Sequence, residues 1–431
     1  MYKIFNLGKK LFPICRSLTG RGVRQTLFMM REFEPMLKIK SINSRKKVYD
    51  WKIPDEWNIK DAYVLDNKNK KIIDFKKNNL HLIGYSSPIN KKISKKELFQ
   101  RLYSLPNQPT AIPYITSYYK KYWGFCVTDN DKKKIKNRLK NIKDNEKILF
   151  AKINSTFNKN GKLNYGEIYL PGLSKKEIFL STYICHPSMA NNELSGPLVS
   201  LALAKYFKKK KNYYSIRFIF VPETIGAIAY LKKNLKKLKK NIIAGYNLTC
   251  LGDDKNYSFL PTKYDNSLSD KAARKAFSKL KIKYKEYSFL NRGSDERQYN
   301  SPGIDLPIAS IMRSKYGTYK EYHTSLDNLD FISIKGLQGG YEVLKESIKI
   351  INQYLIPKSK ILCEPHLSKY NLYPTLSKKN INNFSQSILD FIQYSDGKND
   401  LYKISEILNI DIKKIKKIYK VLIKKGLIVR L

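Results

Sequence analysis

The sequence predicts an α/β protein with a mixed, mostly parallel central sheet sandwiched by helices, a small β unit inserted near its start and a helical module at its end. Three observations carry this. Four short apolar segments, "EIFLSTYIC" (177–185), "SIRFIFV" (215–221), "NIIAGYNLTCLG" (241–252) and "LPIASIM" (306–312), read as strands buried on both faces. Helix-like runs, "GPLVSLALAKYF" (196–207) and "IGAIAYLKKNLKKL" (225–238), alternate with them. The pattern changes on either side of this block, to short strand-like pieces before it and to helices alone after it.

In chain order, residues 1–40 read as helical, with "SLTGRG" breaking the run before "VRQTLFMMREF". Between 45 and 104, "VYDWKIP", "DAYVLD", "KIIDF" and "LHLIGYSSPI" predict a small β unit. Ser94 caps the helix that follows. "KILFAKI" and "GEIYLPG" read as a strand pair leading into the α/β block, and a long helix near 333–354 closes it. Pro357 and Pro365 mark a linker. Helices are then expected at 384–394, 401–408 and 412–425, the last with Ile412, Ile415, Tyr419 and Leu422 on one stripe. The expected domains are 1–44 with 105–356, the insert 45–104, and 362–431.

Composition bounds the function. The hydrophobic share of 42% suits a globular chain. No apolar run is long enough to span a membrane, and the N-terminus does not read as a signal peptide. Five scattered cysteines without a CxxC fit a reducing cytoplasm, which is the expected location. The net charge of +47 comes mainly from lysines spread along the whole chain with many Asn, Ile and Tyr. That usage follows from an A- and T-rich genome, and Arg, the residue suited to bidentate phosphate contacts, is sparse. The charge is therefore read as composition, not as a nucleic-acid footprint.

Sites in open α/β sheets form at the carboxyl ends of the strands. His186 follows the first strand, Glu223 the second, Asp253 and Asp254 the third, and Tyr322 and His323 lie beyond the fourth. Two of the four histidines thus fall at one sheet edge beside acids. The charged loop "NRGSDERQYNSPGIDLP" adds Arg292, Asp295, Glu296 and Arg297. These are candidate substrate-binding residues, with the two arginines able to clamp a carboxylate or to pair with the acids of their own loop.

The order His186, "NNELSG", "PET", "NLTCLG" and Tyr322-His323-Thr324 resembles the zinc-dependent aminopeptidases over roughly residues 145–355. Nearly the whole chain, through "LFPICRSLTGRGVRQTL", "STYICHPSMANNELSG" and "RGSDERQYNSPGIDLP", is similar to a narrower bacterial aminopeptidase-like family with a small β insert and a C-terminal winged helix. The resemblance implies Glu223 as general base and Tyr322 as oxyanion donor. It also exposes departures: Asn192 aligns with the bridging acid of a two-metal site, Thr224 with the second of two glutamates, and Thr249 with a strand-end Asp. Neutral Asn and Thr are poor zinc ligands, and two adjacent cations need a negative bridge. At most one zinc ion is therefore expected, held by His186, His323 and one acid. Asp253 is the first choice, with Asp254, Asp295 and Glu296 as the other candidates.

The function expected is metal-dependent hydrolysis of a peptide or amide bond in a small substrate, with the insert walling the cleft. Two rivals are a catalytically altered binding protein on the same fold and a DNA-binding regulator acting through the C-terminal module. Helix 412–425 carries lysines at 413, 414, 416, 417, 420, 424 and 425 but no Arg, Asn or Gln to read base edges. A packing or protein-contact role is expected of it, and sequence-specific DNA binding is not.

Overall fold

The computed structural model describes residues 1–372 and 383–430. They divide into two units, Met1–Ile351 and Asn352–Leu431. The first is built on an eight-stranded sheet: β1 (Lys38–Asn43), β2 (Lys162–Leu170), β3 (Ser174–Tyr183), β4 (Tyr214–Val221), β5 (Ile242–Leu248), β6 (Ser258–Leu260), β7 (Lys285–Glu286) and β8 (Ile308–Met312). Their spatial order is β1-β2-β4-β3-β5-β8-β6-β7. The four middle strands, β4, β3, β5 and β8, run parallel. They carry the four apolar segments read from sequence, and every residue of β4 and β8 is buried. Chains flanked by helices on both faces need such continuous apolar strands. Antiparallel pairings of β1 with β2, β2 with β4, and β6 with β8 make the sheet mixed.

One charged side chain crosses this interior. Arg217 of β4 makes two hydrogen bonds to Glu177 of β3, at 2.6 and 2.9 Å, and lies 3.2 Å from Glu167 of β2. Its guanidinium is buried with carboxylates from both neighbouring strands, which is how a buried charge is tolerated.

Helix Ser195–Phe207 packs directly on the sheet. A Cβ at Gly196 would stand 2.3 Å from both the Leu248 carbonyl oxygen and Thr182 Oγ1. The Ser-Gly pair at this helix start is therefore set by a helix–strand approach that no larger residue permits.

The small β unit differs from the sequence reading in three ways. The helical expectation for 1–40 holds for Tyr2–Leu11 and Arg21–Phe33, but Lys38–Asn43 is an edge strand of the main sheet. Within "LHLIGYSSPI", only its last residue enters a strand, Ile89–Ile93. The start of that segment forms a single 3-10 turn, because the Asn78 side chain accepts from Leu80 N at 2.9 Å and closes a local bend. "KILFAKI" and "GEIYLPG" are strands but not partners. Leu149–Asn158 pairs with Glu56–Leu65 and Ile89–Ile93 in a separate four-stranded sheet completed by Lys71–Asp74, while β2 pairs in the main sheet. A turn at 158–161, closed by Gly161 N to Asn158 O, sends the chain from one sheet into the other. Ser94 caps its helix by accepting from Glu97 N at 3.1 Å.

Three buried carboxylates form ion pairs in the small β unit and at the edge of the main sheet. Glu56 accepts from Arg24 at 2.8 Å, Asp66 from Arg138 at 2.6 Å, and Glu167 from Lys40 at 2.6 Å. Burial by itself would raise all three carboxyls, but these hydrogen bonds and charges prevail and hold each below the usual range. A carboxyl with a depressed folded pKa contributes stability above its unfolded value, near pH ~4, and loses it as pH falls through the folded value. The thermal midpoint is therefore expected to fall as pH drops from about 5 to about 3. Asp66→Asn should reduce the acid-dependent part of that drop, measured by circular dichroism melts. An unchanged slope would show that Asp66 is not a source of it.

The second unit holds helices Asn383–Gln393, Leu401–Leu408 and Ile412–Lys424, with Asp400 and Asp411 capping the latter two. Strand Pro357–Ser359 pairs antiparallel with Ile428–Arg430, so the short C-terminal strand finds its partner at the front of the unit. Ile415, Ile418, Tyr419 and Leu422 are buried in its core. Ile412 is only half-buried, and Ile418 takes its place in the apolar stripe. No helix of the described residues is long and apolar enough to cross a membrane.

Candidate active site

The parallel strands deliver their carboxyl ends to one edge, and the loops leaving them carry the polar residues. His186 leaves β3, Glu223 leaves β4, and His323 lies in the loop beyond β8. The rings of His186 and His323 lie 5.3 Å apart, and His186 Nε2 is 3.6 Å from Glu223 Oε2. Tyr322 stacks on His323 at 4.0 Å, and Tyr183 lies 5.4 Å from His186. These loops hold strained backbone: Ser188, Thr224, Cys250 and His323 all have positive φ without being glycine. Such residues persist only where their surroundings over-determine them.

His186 presents two different faces. Its Nδ1 is 2.8 Å from Glu193 Oε2, a residue the sequence reading took only as part of the "NNELSG" word. Glu193 in turn has Arg16 Nε at 3.7 Å, and Arg16 also donates to the His186 carbonyl at 3.0 Å and the Leu11 carbonyl at 2.6 Å. The side chains of Arg16 and Glu193 are fully buried. Burial pushes the His186 imidazole down, yet the neighbouring Cys185 and Glu193 win and raise it well above its ordinary value. Burial also pushes the Cys185 thiol up to about 11.

His323 is the opposite case. Burial, then the nearby His186, push it down to about 3, so it is neutral. Its Nε2 is buried without a hydrogen-bond partner. Glu223 is raised by burial, opposed by His186, and Ser294 Oγ donates to its Oε1 at 3.0 Å. About a fifth of the Glu223 side chain is open to solvent, against 4% for His186.

Asp253, expected as the third ligand, is committed elsewhere. Its Oδ2 accepts from Asn191 Nδ2 and Ser314 N, and its Oδ1 from Ser314 Oγ and Lys255 N. With both oxygens used to tie three loops together, it has no free lone pair aimed at the histidines. Among the described residues, the three ligand-type groups within 4.8 Å of one another are Cys185, His186 and Glu193. Glu296 is likewise structural: its carboxylate accepts from Tyr316, Gly293 N, Ser294 N, Asn247 and Ser310. Asp295 is buried beside Glu223 and accepts from Thr224 N at 2.7 Å. Burial, then the charge of Glu223, raise its carboxyl well above the ordinary range. Arg292 and Arg297 are exposed, and Arg297 donates to Thr224 Oγ1 at 2.9 Å.

Two of the three departures, Asn192 and Thr249, have visible consequences. Asn192 Nδ2 donates to the Tyr183 hydroxyl at 2.7 Å, that hydroxyl lies 2.6 Å from Thr249 Oγ1, and Thr249 Oγ1 donates back to the Asn192 carbonyl at 3.0 Å. A closed, neutral hydrogen-bonded ring thus joins two of the positions where the aminopeptidase pattern has acids. Asp327, not singled out from sequence, organises the same loop by accepting from the backbone N–H groups of Ala190, Asn191 and Asn192.

The cover over the histidines comes from the segment after the expected insert. Tyr114 lies 5.0 Å from His186 and 5.3 Å from His323. The segment is laced to the His323 loop by Tyr114 N to His323 O, Ile112 N to Ser325 Oγ, and Gln108 Nε2 to Lys320 O. The expectation that the insert 45–104 walls the cleft did not point to this segment.

Sheet order and the placement of His186, Glu223 and His323 define an aminopeptidase-like α/β protein. Solved structures with this fold include a zinc aminopeptidase from Bacillus subtilis, matched over 81% of this chain and 94% of that one (TM-score 0.56, 13% identity). A peptidase M28 precursor from Shewanella amazonensis matches over 84% and 94% (TM-score 0.55, 11% identity). More narrowly, residues 5–354 match the family described as "Domain of unknown function (DUF4910)", and the chain belongs to that family. Residues 355–430 match a winged helix-turn-helix model. A Clostridium acetobutylicum relative, 42% identical over 96% of this chain and 93% of its own length, is named "Putative polysaccharide biosynthesis protein with aminopeptidase-like domain". A crystal structure of a "putative peptidase" from the same organism matches all of this chain and 96% of that one (TM-score 0.81, 39% identity).

Proposed function

We propose that this chain is a hydrolase of the aminopeptidase-like class that cleaves an amide bond in a small substrate and binds one zinc ion. The observation that carries the reading is the convergence of His186, His323 and Glu223 from three strand ends. The residues present supply two imidazole donors for one ion, and among the described residues no acid joins both histidines in a ligand-sized group. Glu193 engages Nδ1 of His186 and leaves Nε2 facing Glu223, the orientation by which a carboxylate aims a ligating histidine. The buried, unpartnered Nε2 of His323 is a second donor. The set does not fit two ions, because the Asn192–Tyr183–Thr249 ring puts neutral groups where a bridge needs charge.

Bound zinc would polarise the scissile carbonyl and make water easier to ionise. The residues of the chain do the rest. Glu223, partly exposed and held by Ser294, accepts the proton of the attacking water. Tyr322, anchored by stacking on His323, offers its hydroxyl to the developing oxyanion. Tyr114 and Tyr183 flank His186 and limit water around it. The peptidase names of the relatives support the same reaction class.

Metal analysis of the purified chain tests the site. About one zinc per chain is expected, and His186→Ala should lose it together with hydrolysis of amino-acid p-nitroanilides. Two tightly held ions, or undiminished binding in the variant, would refute the assignment. A folded chain with neither metal nor hydrolysis would favour the binding-protein alternative, for which the neutral ring is the supporting observation.

A further inference from the structure

We infer that the site takes substrates bearing an anionic group, a carboxylate or a phosphate, and that Arg292, Arg297 and Lys263 form the subsite that reads it. The inference rests on the hydrolase reading above and names its substrate class.

A cavity of about 670 Å³ is lined by Lys263, Tyr287, Phe289, Arg292 and Arg297 among others. Arg297 joins it to the reacting centre. Its guanidinium donates to Thr224 Oγ1, the residue after Glu223. A group bound against Arg297 is therefore linked through the Thr224 hydroxyl to the residue next to Glu223, the proposed base.

The cations lining this cavity have charge to spare. Among the described residues, neither Arg292 nor Arg297 takes part in an ion pair, whereas Arg24, Arg45, Arg138, Arg217 and Arg274 all do. The acids of their own loop are engaged by other donors. Asp295 faces the Thr224 backbone, and Glu296 is saturated by donors within the fold. Asp265, the acid on the cavity wall, is paired with Arg274. Lys263 keeps a loose contact with Asp305 at 3.6 Å. Arg292 is steadied by the Phe289 ring at 5.2 Å, and Arg297 by Thr224, so both forks are positioned before a ligand arrives. Two guanidinium groups without an ion-pair partner on one cavity wall make a site for a carboxylate or phosphate.

The test is calorimetric titration of the full chain with two matched pairs. These are L-glutamic acid α-amide against L-glutaminamide, and glucosamine 6-phosphate against glucosamine. In at least one pair the anionic member should bind about tenfold tighter or more, and Arg292→Met/Arg297→Met should erase the difference. The pair that responds identifies the source of the anion, an acidic side chain or a phosphorylated sugar. Equal affinities within both pairs, or a preference that survives in the double variant, would overturn the subsite. If the double variant melts early, Arg292→Met alone should still cut the preference several-fold, and no reduction there also overturns it. Absence of hydrolysis alongside an intact anion preference would remove the hydrolase reading and leave the subsite standing.

Discussion

Glu223→Gln should lower kcat for amide hydrolysis by roughly 10²–10⁴-fold, the contribution typical of a positioned general base. The substitution keeps the shape of the side chain and leaves an oxygen for Ser294 Oγ, which now donates to Oε1 at 3.0 Å. Fold and substrate affinity should therefore stay near wild type, with the loss confined to kcat. Burial raises the Glu223 carboxyl toward the range in which a base works near neutral pH, and the proximity of His186 keeps it from rising further. Neighbouring Asp295, which burial and the charge of Glu223 raise well above its ordinary range, is engaged with Thr224 N and does not substitute for it. The check is steady-state kinetics on an amino-acid p-nitroanilide with a melt of the same preparation. A variant within tenfold of wild type would rule Glu223 out as the base, whatever the metal content.

The parallel core was readable because a strand buried on both faces must be apolar throughout, and "SIRFIFV" and "LPIASIM" leave no other economical reading. The positions of His186, Glu223 and His323 followed from the same logic, since residues just past such strands share an edge. Three things were hidden. Asp253 looked like a ligand because acidic type and position are visible in sequence, whereas hydrogen-bond saturation by Asn191, Ser314 and Lys255 is not. The strand pair at 147–172 failed because a tight turn predicts adjacency in sequence, not membership of one sheet, and Gly161 sends the chain between two. Glu193 and Arg16 escaped because their contact joins the loop between the two N-terminal helices to the loop after β3, and no local period records a charge pair between two loops so distant in sequence. A signal was present, however: an acid seven positions after a strand-end histidine, on a loop that must return to the sheet.

That hidden pair carries the second large effect. Arg16→Met should destabilise the first unit by about 3–5 kcal/mol, the range for breaking a fully buried ion pair from one side. The guanidinium holds Glu193 at 3.7 Å and the carbonyls of His186 and Leu11 at 3.0 and 2.6 Å. Methionine keeps much of the volume but none of the donors, so Glu193 Oε1, which has no hydrogen bond of its own, faces a buried environment without its cation. Urea unfolding followed by tryptophan fluorescence isolates the effect, because Trp51, Trp57 and Trp123 all lie in the first unit. Glu193→Gln tests the other side by removing the charge while keeping an acceptor for His186 Nδ1. Its partner Arg16 would then be the uncompensated buried charge. The double variant leaves neither charge behind, so its cost should be smaller than the sum of the two single costs by more than about 1 kcal/mol. Additive costs would mean that Arg16 acts through its two carbonyl contacts alone, and that the orientation of His186 does not depend on the pair behind it.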